Sequence, residues 1–285
     1  MGEDRKLAHW FAREKFMNLP PALPSDWLQP QWPAPAWVGA LFATRAGGVS
    51  QGVWGSFNAG DQVGDAPENV HANRQQLAQA LGARPVFLRQ VHGAQVVELG
   101  PDSADDALAD GVVTQVPGVV CTVQVADCLP VLLAHPHARV VAAAHAGWRG
   151  LAAGVLERTV ERFWELARRQ ENRAEPFTPG DTLAWLGPAI GPRCFEVGGE
   201  VRAALLAGDA GAAECFHALA GGKFLADLPA LARRRLARMG ITHVHGNDGA
   251  QDWCTVSDAA RFHSYRRDQA RLGGAGRMAA CIWLR

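Results

Sequence analysis

The sequence carries no net charge, 28 basic residues standing against 28 acidic ones. With no excess of either sign there is no long-range field to hold a polyanion or an anionic bilayer, so nucleic acid and membranes are not expected as partners. No window holds 18 uninterrupted apolar residues, because Asp, Gln, His or Arg breaks every candidate, and a membrane-spanning helix is excluded. The opening MGEDRKLAHWFAREKF lacks the apolar core of a secretory signal, which predicts a cytoplasmic protein. None of the cysteines (121, 128, 194, 215, 254 and 281) lies in a CxxC pair or a close framework, so thiols in a reducing compartment are expected, one of them available as a ligand. There is no internal repeat. GGVSQGVWG has the glycine content of a phosphate loop without its lysine or its spacing.

What remains is a chain of 285 residues, 48% hydrophobic and 20% charged, long enough to build one large core. Residues 1–18 read as a short helical extension. The following LPPALPSDWLQPQWPAPAW packs six prolines into 19 residues, which forbids regular structure. Its tryptophans, Trp27, Trp32 and Trp37, are expected to pack on the protein's own surface. We therefore divide the chain into an extension and lead-in over 1–37 and a catalytic domain over 38–285.

From Val38 to about residue 145 short apolar runs bounded by Gly, Pro or Asp predict strands: WVGALFAT, PVFLRQVHGAQVVEL, DGVVTQV, GVVCTVQVA, PVLLAHP and RVVAAAH. One helix interrupts them, APENVHANRQQLAQALG, opened by Pro67 and closed by Gly82. Leu151, Val155, Leu156, Thr159, Phe163 and Leu166 form one stripe at helical spacing, predicting a continuous helix from residue 150 to 170. A strand in TLAWLGPAI, helices near 199–208 and 227–239, and a last strand over 278–284 complete the pattern. Strands and helices mix without strict alternation, so the expected class is α+β, a single domain of mixed β-sheets flanked by helices. The arginine groups 233–235 and 266–267 read as solvated faces.

Three segments each carry a soft or borderline metal ligand, in two of them close to glycine: QVHGA with His92, VADCLP with Cys128 and HAGWRG with His145. Singly each is weak, since an isolated cysteine between apolar residues is most often a small buried hydrophobe. The intervals of 36 and 17 residues match no compact zinc finger. A triad gathered from separate strand ends would instead resemble a catalytic metal site with an open position. The residues alone leave a Cys128–His145 nucleophile and base, a ligand set and plain core residues all open.

The segments together are far more specific. TRAGGVSQGVWGSFNAG, NRQQL, RQVHGAQVV, DGVVT, VADCLPVLL, AAAHAGWRG, LGPAIGPRCFEVG, WCTVSD, FHSYRRD and GRMAACIWL occur in the order found in the bacterial YfiH family, also called the laccase-domain or multicopper polyphenol oxidase family, and the chain resembles it from residue 38 to its end. The resemblance implies one zinc, with copper an alternative occupant, held by His92, Cys128 and His145. It implies phosphorolysis of adenosine, inosine and methylthioadenosine together with adenosine deamination, so purine nucleosides and phosphate are the expected small-molecule partners. The family also carries a copper-dependent polyphenol oxidase label and a link to hydrolytic editing of peptidoglycan precursors. For the phosphate cradle the motif arginines rank Arg45, Arg74, then Arg149, because a guanidinium meets phosphate through two parallel hydrogen bonds. Asn58 is a candidate contact to ribose or base. Asp127 adjoins Cys128, but strand alternation aims it at the opposite face. A laccase-type copper cluster needs several His pairs, and HPH (135–137) and HVH (243–245) read as exposed turn and strand-end histidines. The oligomeric state is not written in the pattern.

Overall fold

The computed structural model describes residues 23–170 and 176–285. The helix expected over 1–18 lies outside them. Strand β1 (Val38–Ala43) is followed by helix α1 (Pro67–Leu81), whose first residue is a proline that needs no amide partner and whose end is closed by Gly82 at φ 59°. Then come β2 (Arg84–Val86), β3 (Val96–Leu99), β4 (Gly111–Thr114), β5 (Val119–Val125), β6 (Leu129–His135) and β7 (Ala138–Ala146), the strands that the apolar runs predict. The long expected helix is two: α2 (Trp148–Ala152) and α3 (Val155–Arg168). Gly154 at φ 86° breaks the path between them, while the whole apolar stripe stays buried on both sides of the break. β8 (Leu183–Leu186), β9 (Glu196–Val197), α4 (Gly199–Leu206), β10 (Phe216–Ala218), β11 (Phe224–Ala226), α5 (Leu228–Arg238), β12 (His243–Gly246), α6 (Tyr265–Leu272) and β13 (Met278–Leu284) complete the chain.

The strands form a six-stranded sheet in the order β12-β8-β6-β7-β4-β3, a four-stranded sheet β1-β13-β5-β2 and a small sheet β10-β11-β9. Parallel and antiparallel pairs occur in both larger sheets. Alternation along each strand shows how they stack. On β7, Val140, Ala142 and Ala144 face α3 and its Leu156, Val160 and Phe163, whereas Val141 and Ala143 face the four-stranded sheet. On β13, Ala280 and Ile282 face back into that same interface, while Ala279, Cys281 and Trp283 point outward to Leu77 and Leu81 of α1. The molecule is thus a single α+β domain of four layers, helix, sheet, sheet, helix. Because both faces of β5, β6 and β7 are buried, their sequences are continuous apolar runs rather than alternating ones.

Trp27 of the lead-in is buried against Phe57, its ring centroid 5.2 Å away, and its indole N–H donates to the Ala46 carbonyl. Trp32 and Trp37 pack against the inter-sheet core. One expectation about histidine fails. His135 is a fully buried strand residue within hydrogen-bond distance of the Thr178 carbonyl at 3.0 Å, and only its neighbour His137 is exposed. The strand continues one residue further than the proline turn suggests.

Candidate metal centre and its cavity

His145 shares the parity of Val141 and Ala143 on β7, which places its imidazole at the end of the gap between the two sheets. Cys128 sits in the turn joining β5 of one sheet to β6 of the other and packs against the same inter-sheet core. His92 lies in the loop between β2 and β3, in the left-handed region at φ 61°. That loop is fastened to β5 by a reciprocal pair, the Gln90 side chain donating to the Gln124 carbonyl at 2.8 Å and accepting from the Gln124 amide at 2.6 Å. The three donor atoms all lie within 4.8 Å of one another, and the two imidazoles meet edge to face at 4.9 Å.

Asp110, directly before β4, holds the group together. Its fully buried carboxylate accepts the backbone N–H of Val91, His92 and Gly93 at 3.1, 2.9 and 2.7 Å, and lies 2.8 Å from His145 Nδ1. Burial pushes this carboxyl up, but the bond to His145, that residue's charge and the amides outweigh it and hold it below the usual carboxylate range. With Nδ1 engaged by Asp110, His145 turns its Nε2 toward Cys128, the arrangement that orients metal-bound histidines. Burial alone raises the Cys128 thiol and lowers the His145 imidazole; their mutual attraction reverses both, bringing Cys128 down to about 6 and His145 up to about 9. A thiolate beside two imidazoles is an electron-rich donor set, and the residues fit a borderline-soft divalent cation. Gly147 is required next to it, because a Cβ there would stand 2.6 Å from Cys128 Sγ.

The centre opens into a cavity of about 590 Å³. Arg149, Arg266 and Arg277 line it, as do Trp148, Phe195 and Tyr265. Among the described residues none of these three guanidinium groups is ion-paired to a carboxylate. Arg277 is the most enclosed of them, its Nη1 donating to the Ala275 carbonyl at 2.8 Å and burial lowering its pKa. A second cavity, of about 570 Å³ beside Trp32 and Leu284, has no histidine, cysteine, aspartate or glutamate in its wall.

Of the three arginines ranked for the phosphate cradle, only Arg149 reaches the centre's cavity. Arg45 donates to the carbonyls of Gly55 and Ala259, and Arg74 donates to the Ala59 carbonyl, pairs with Asp61 at 3.2 Å and stacks on Phe87 at 4.0 Å. Both guanidinium groups are engaged elsewhere. Asn58 is fully buried and supports the wall from behind, its Oδ1 accepting the Gly60 and Arg277 amides at 2.9 and 2.8 Å. Asp127 does line the cavity, against the expectation from strand alternation. β5 ends at Val125, and Asp127 at φ 95° has left the pleat. Its carboxylate is occupied, accepting from Thr255 Oγ1 and the Arg266 amide, each at 2.6 Å. Sequence reasoning missed Asp110, Arg266 and Arg277. Asp110 stood in the quoted DGVVT, where an acidic residue at the mouth of an apolar strand was the available signal; Arg266 and Arg277 stood in the quoted FHSYRRD and GRMAACIWL, the first read as part of a solvated face and the second not singled out.

These features define a four-layer α+β protein with an open His–Cys–His centre at the floor of an arginine-lined cavity. Residues 39–285 match the family described as multi-copper polyphenol oxidoreductase laccase, and the chain belongs to that family. It is similar to a purine nucleoside phosphorylase of Pseudomonas aeruginosa, 49% identical over 90% of this chain and 98% of that one. It is also similar to the purine nucleoside phosphorylase YfiH of Escherichia coli, 47% identical over 91% and 99% of the two chains. Among solved structures, a Neisseria meningitidis protein of family DUF152 superimposes with a TM-score of 0.80 at 43% identity, covering 91% of this chain and 99% of its own.

Proposed function

We propose that the protein is a purine nucleoside phosphorylase that cleaves adenosine, inosine and methylthioadenosine, deaminates adenosine at the same site, and holds zinc through His92, Cys128 and His145. The observation that carries this reading is the opening of the donor cluster and three carboxylate-free guanidinium groups into one cavity of about 590 Å³, a volume in the range of small-molecule sites. The names of the relatives support it. Phosphorolysis brings a phosphate oxygen to the ribose C1′ while the bond to the purine nitrogen breaks and the base leaves with the electron pair. Phosphate, a mixture of monoanion and dianion near neutral pH, needs fixed positive charge at its attacking position, and Arg277, desolvated and anchored through its backbone to Asn58, is the best placed, with Arg149 and Arg266 nearer solvent. Trp148 and Tyr265 offer apolar faces for the purine. Asp127 acts by position, fixing the first turn of α6 and with it Arg266. When bound, zinc supplies Lewis acidity at the cavity floor.

The test is metal analysis of the purified protein combined with nucleoside turnover, with and without phosphate. About one zinc per chain, and release of hypoxanthine or adenine only when phosphate is present, is the expected result. Folded, metal-free protein with undiminished phosphorolysis overturns the reading.

One observation favours a second reading. Cys128, His145 and Asp110 line up as nucleophile, base and orienting carboxylate, as a cysteine-type hydrolase of peptidoglycan precursors would require. His92 separates the two. It has no role in a triad, so the hydrolase reading expects His92→Ala to be tolerated, whereas a three-ligand centre expects it to be as damaging as His145→Ala. The copper oxidase reading finds less support, because among the described residues His92, Cys128 and His145 form the one group suited to a metal.

A further inference from the structure

Behind the cavity wall, next to its lining residues Ile190 and Phe195, lies a pair of cysteines outside the donor cluster. Cys194 follows the turn at Gly191, its amide donating to the Gly191 carbonyl at 2.9 Å. Cys254 lies on the facing segment, bridged to Ala189, with the Thr255 amide on the Ala189 carbonyl at 3.0 Å. The two thiols interact directly and share one hydroxyl, Ser257 Oγ standing 3.7 Å from Cys194 Sγ while also donating to Cys254. Cys254 Sγ further accepts the Gly191 amide at 3.2 Å and the amides of Val256 and Ser257. N–H donors around a sulfur favour its anion. Burial opposes this, but the surrounding donors prevail and lower the Cys254 pKa, while burial raises that of Cys194, so Cys254 is the more readily ionised of the two. Cys121 and Cys281, buried among apolar residues, are pushed the other way, Cys281 to about 12.

We infer that Cys254 and Cys194 are an oxidant-sensing dithiol that a small hydroperoxide closes to a disulfide. Cys254 is only 3% exposed, which limits the oxidant to a small one, and half-buried Cys194 forms the way in. The Cys254 thiolate attacks the terminal peroxide oxygen; the O–O bond breaks, and the departing oxygen takes a proton and leaves as alcohol, or as water from hydrogen peroxide. Cys254 is then a sulfenic acid. The sulfur of Cys194 attacks it, the S–O bond breaks, and the hydroxyl leaves as water with the Cys194 proton. Two thiols have lost two electrons to one peroxide.

The position makes the bond consequential. Thr255 Oγ1 and the Ile190 amide both bind Asp127, the latter at 2.9 Å on its carbonyl, and Arg266 Nη1 donates to the Cys194 carbonyl at 3.4 Å. The disulfide would fasten together the two segments that fix Asp127 and Arg266 in the cavity wall. The inference does not depend on which substrate the cavity takes.

The experiment treats the metal-loaded full chain with hydrogen peroxide, alkylates the remaining thiols in denaturant and maps peptides without reduction. Two of the six thiols should disappear and return with reductant, and the lost pair should appear as one linked peptide, Cys194 to Cys254. In Cys194→Ser the chemistry should halt at a sulfenic acid on Cys254, captured by a 1,3-dione. Disulfides joining other cysteines, retention of all six thiols, or capture of the dione anywhere but Cys254 would overturn the inference. Oxidation of Cys194 at an unchanged rate in Cys254→Ser would also overturn it, since the thiolate would then have no part.

Discussion

Asp110 is the residue on which the candidate centre turns, although it touches no substrate. One carboxylate gathers three successive amides and an imidazole, so it sets both the His92 loop and the direction of His145. Replacing it with asparagine removes the charge and two acceptor positions while preserving shape. Metal affinity should fall by about 10- to 100-fold, the usual effect of losing a partner behind a histidine ligand, as read by competition with a chromogenic chelator. An unchanged affinity would mean that the loop is held by other contacts. Arg277→Lys asks the complementary question: the ammonium retains the charge and loses the planar fork, so KM for phosphate should rise by roughly tenfold while KM for nucleoside changes little. The reverse split would move phosphate to Arg149 or Arg266. His92, Cys128 and His145 were legible in sequence because each is a ligand-type residue within one of the ordered motifs. Asp127 and Arg277 were not, since the first depends on a positive φ that no spacing announces and the second on a carbonyl pair formed by its own neighbours.

At the scale of elements, the strands were legible wherever burial on both faces wrote a continuous apolar run, and the helices wherever apolar residues accompanied the end signals. Failures have local causes. The stripe from Leu151 to Leu166 is unbroken because both helices bury the same side, so periodicity could not see the left-handed Gly154 between them. An alanine at that position must adopt φ near 86°, and Gly154→Ala should cost roughly 1–2 kcal/mol, lowering Tm by about 2–8 °C in a chain of this size. α6 was missed because YRRDQARL has almost no apolar face, although Ser264 caps its start by accepting the Arg267 amide and Gly273 closes its end. The segment entering α6 carries His263, which is fully buried with Nε2 on the Phe57 carbonyl at 2.9 Å and Nδ1 without a partner. Protonation would put a second positive charge beside Arg45 with no acceptor for it, and burial with that repulsion lowers the pKa to about 4. As pH falls below 6.5 the unfolded chain takes the proton first, so stability is lost between about 6.5 and 4 and the loss levels off below that. At pH 5 the deficit should be about 2 kcal/mol, and His263→Gln, which preserves the donor to Phe57, should remove it in urea unfolding at pH 7 and pH 5. Equal losses in both proteins would assign the acid sensitivity to other groups.

At the scale of the molecule, the α+β class with mixed sheets was legible from the mixture of runs and helices, but the four layers and the pairing of the two sheets were not, because which strand joins which sheet is set by long-range register. That pairing is what gives the centre its reach. Cys128 lies at the point where the chain passes from the four-stranded sheet to the six-stranded one, His145 ends a strand of the second, and the His92 loop is fastened to β5 of the first. A cation on these residues therefore ties the two sheets together at one end of their shared core. Binding to the folded chain alone adds RT ln(1 + [L]/Kd), about 2.7 kcal/mol at a hundredfold excess over Kd, or roughly 5–10 °C of Tm here. Removing metal by a chelator should lower Tm by that amount and restore it on adding zinc, with little change in far-ultraviolet circular dichroism, because the hydrophobic contacts of all four layers do not involve the ligands. His92→Ala should abolish the response while leaving the metal-free Tm close to that of the parent, since this histidine is exposed and contributes little to the core. A chelator effect that persists undiminished in His92→Ala would place the stabilising ion elsewhere and remove the argument that the centre joins the sheets.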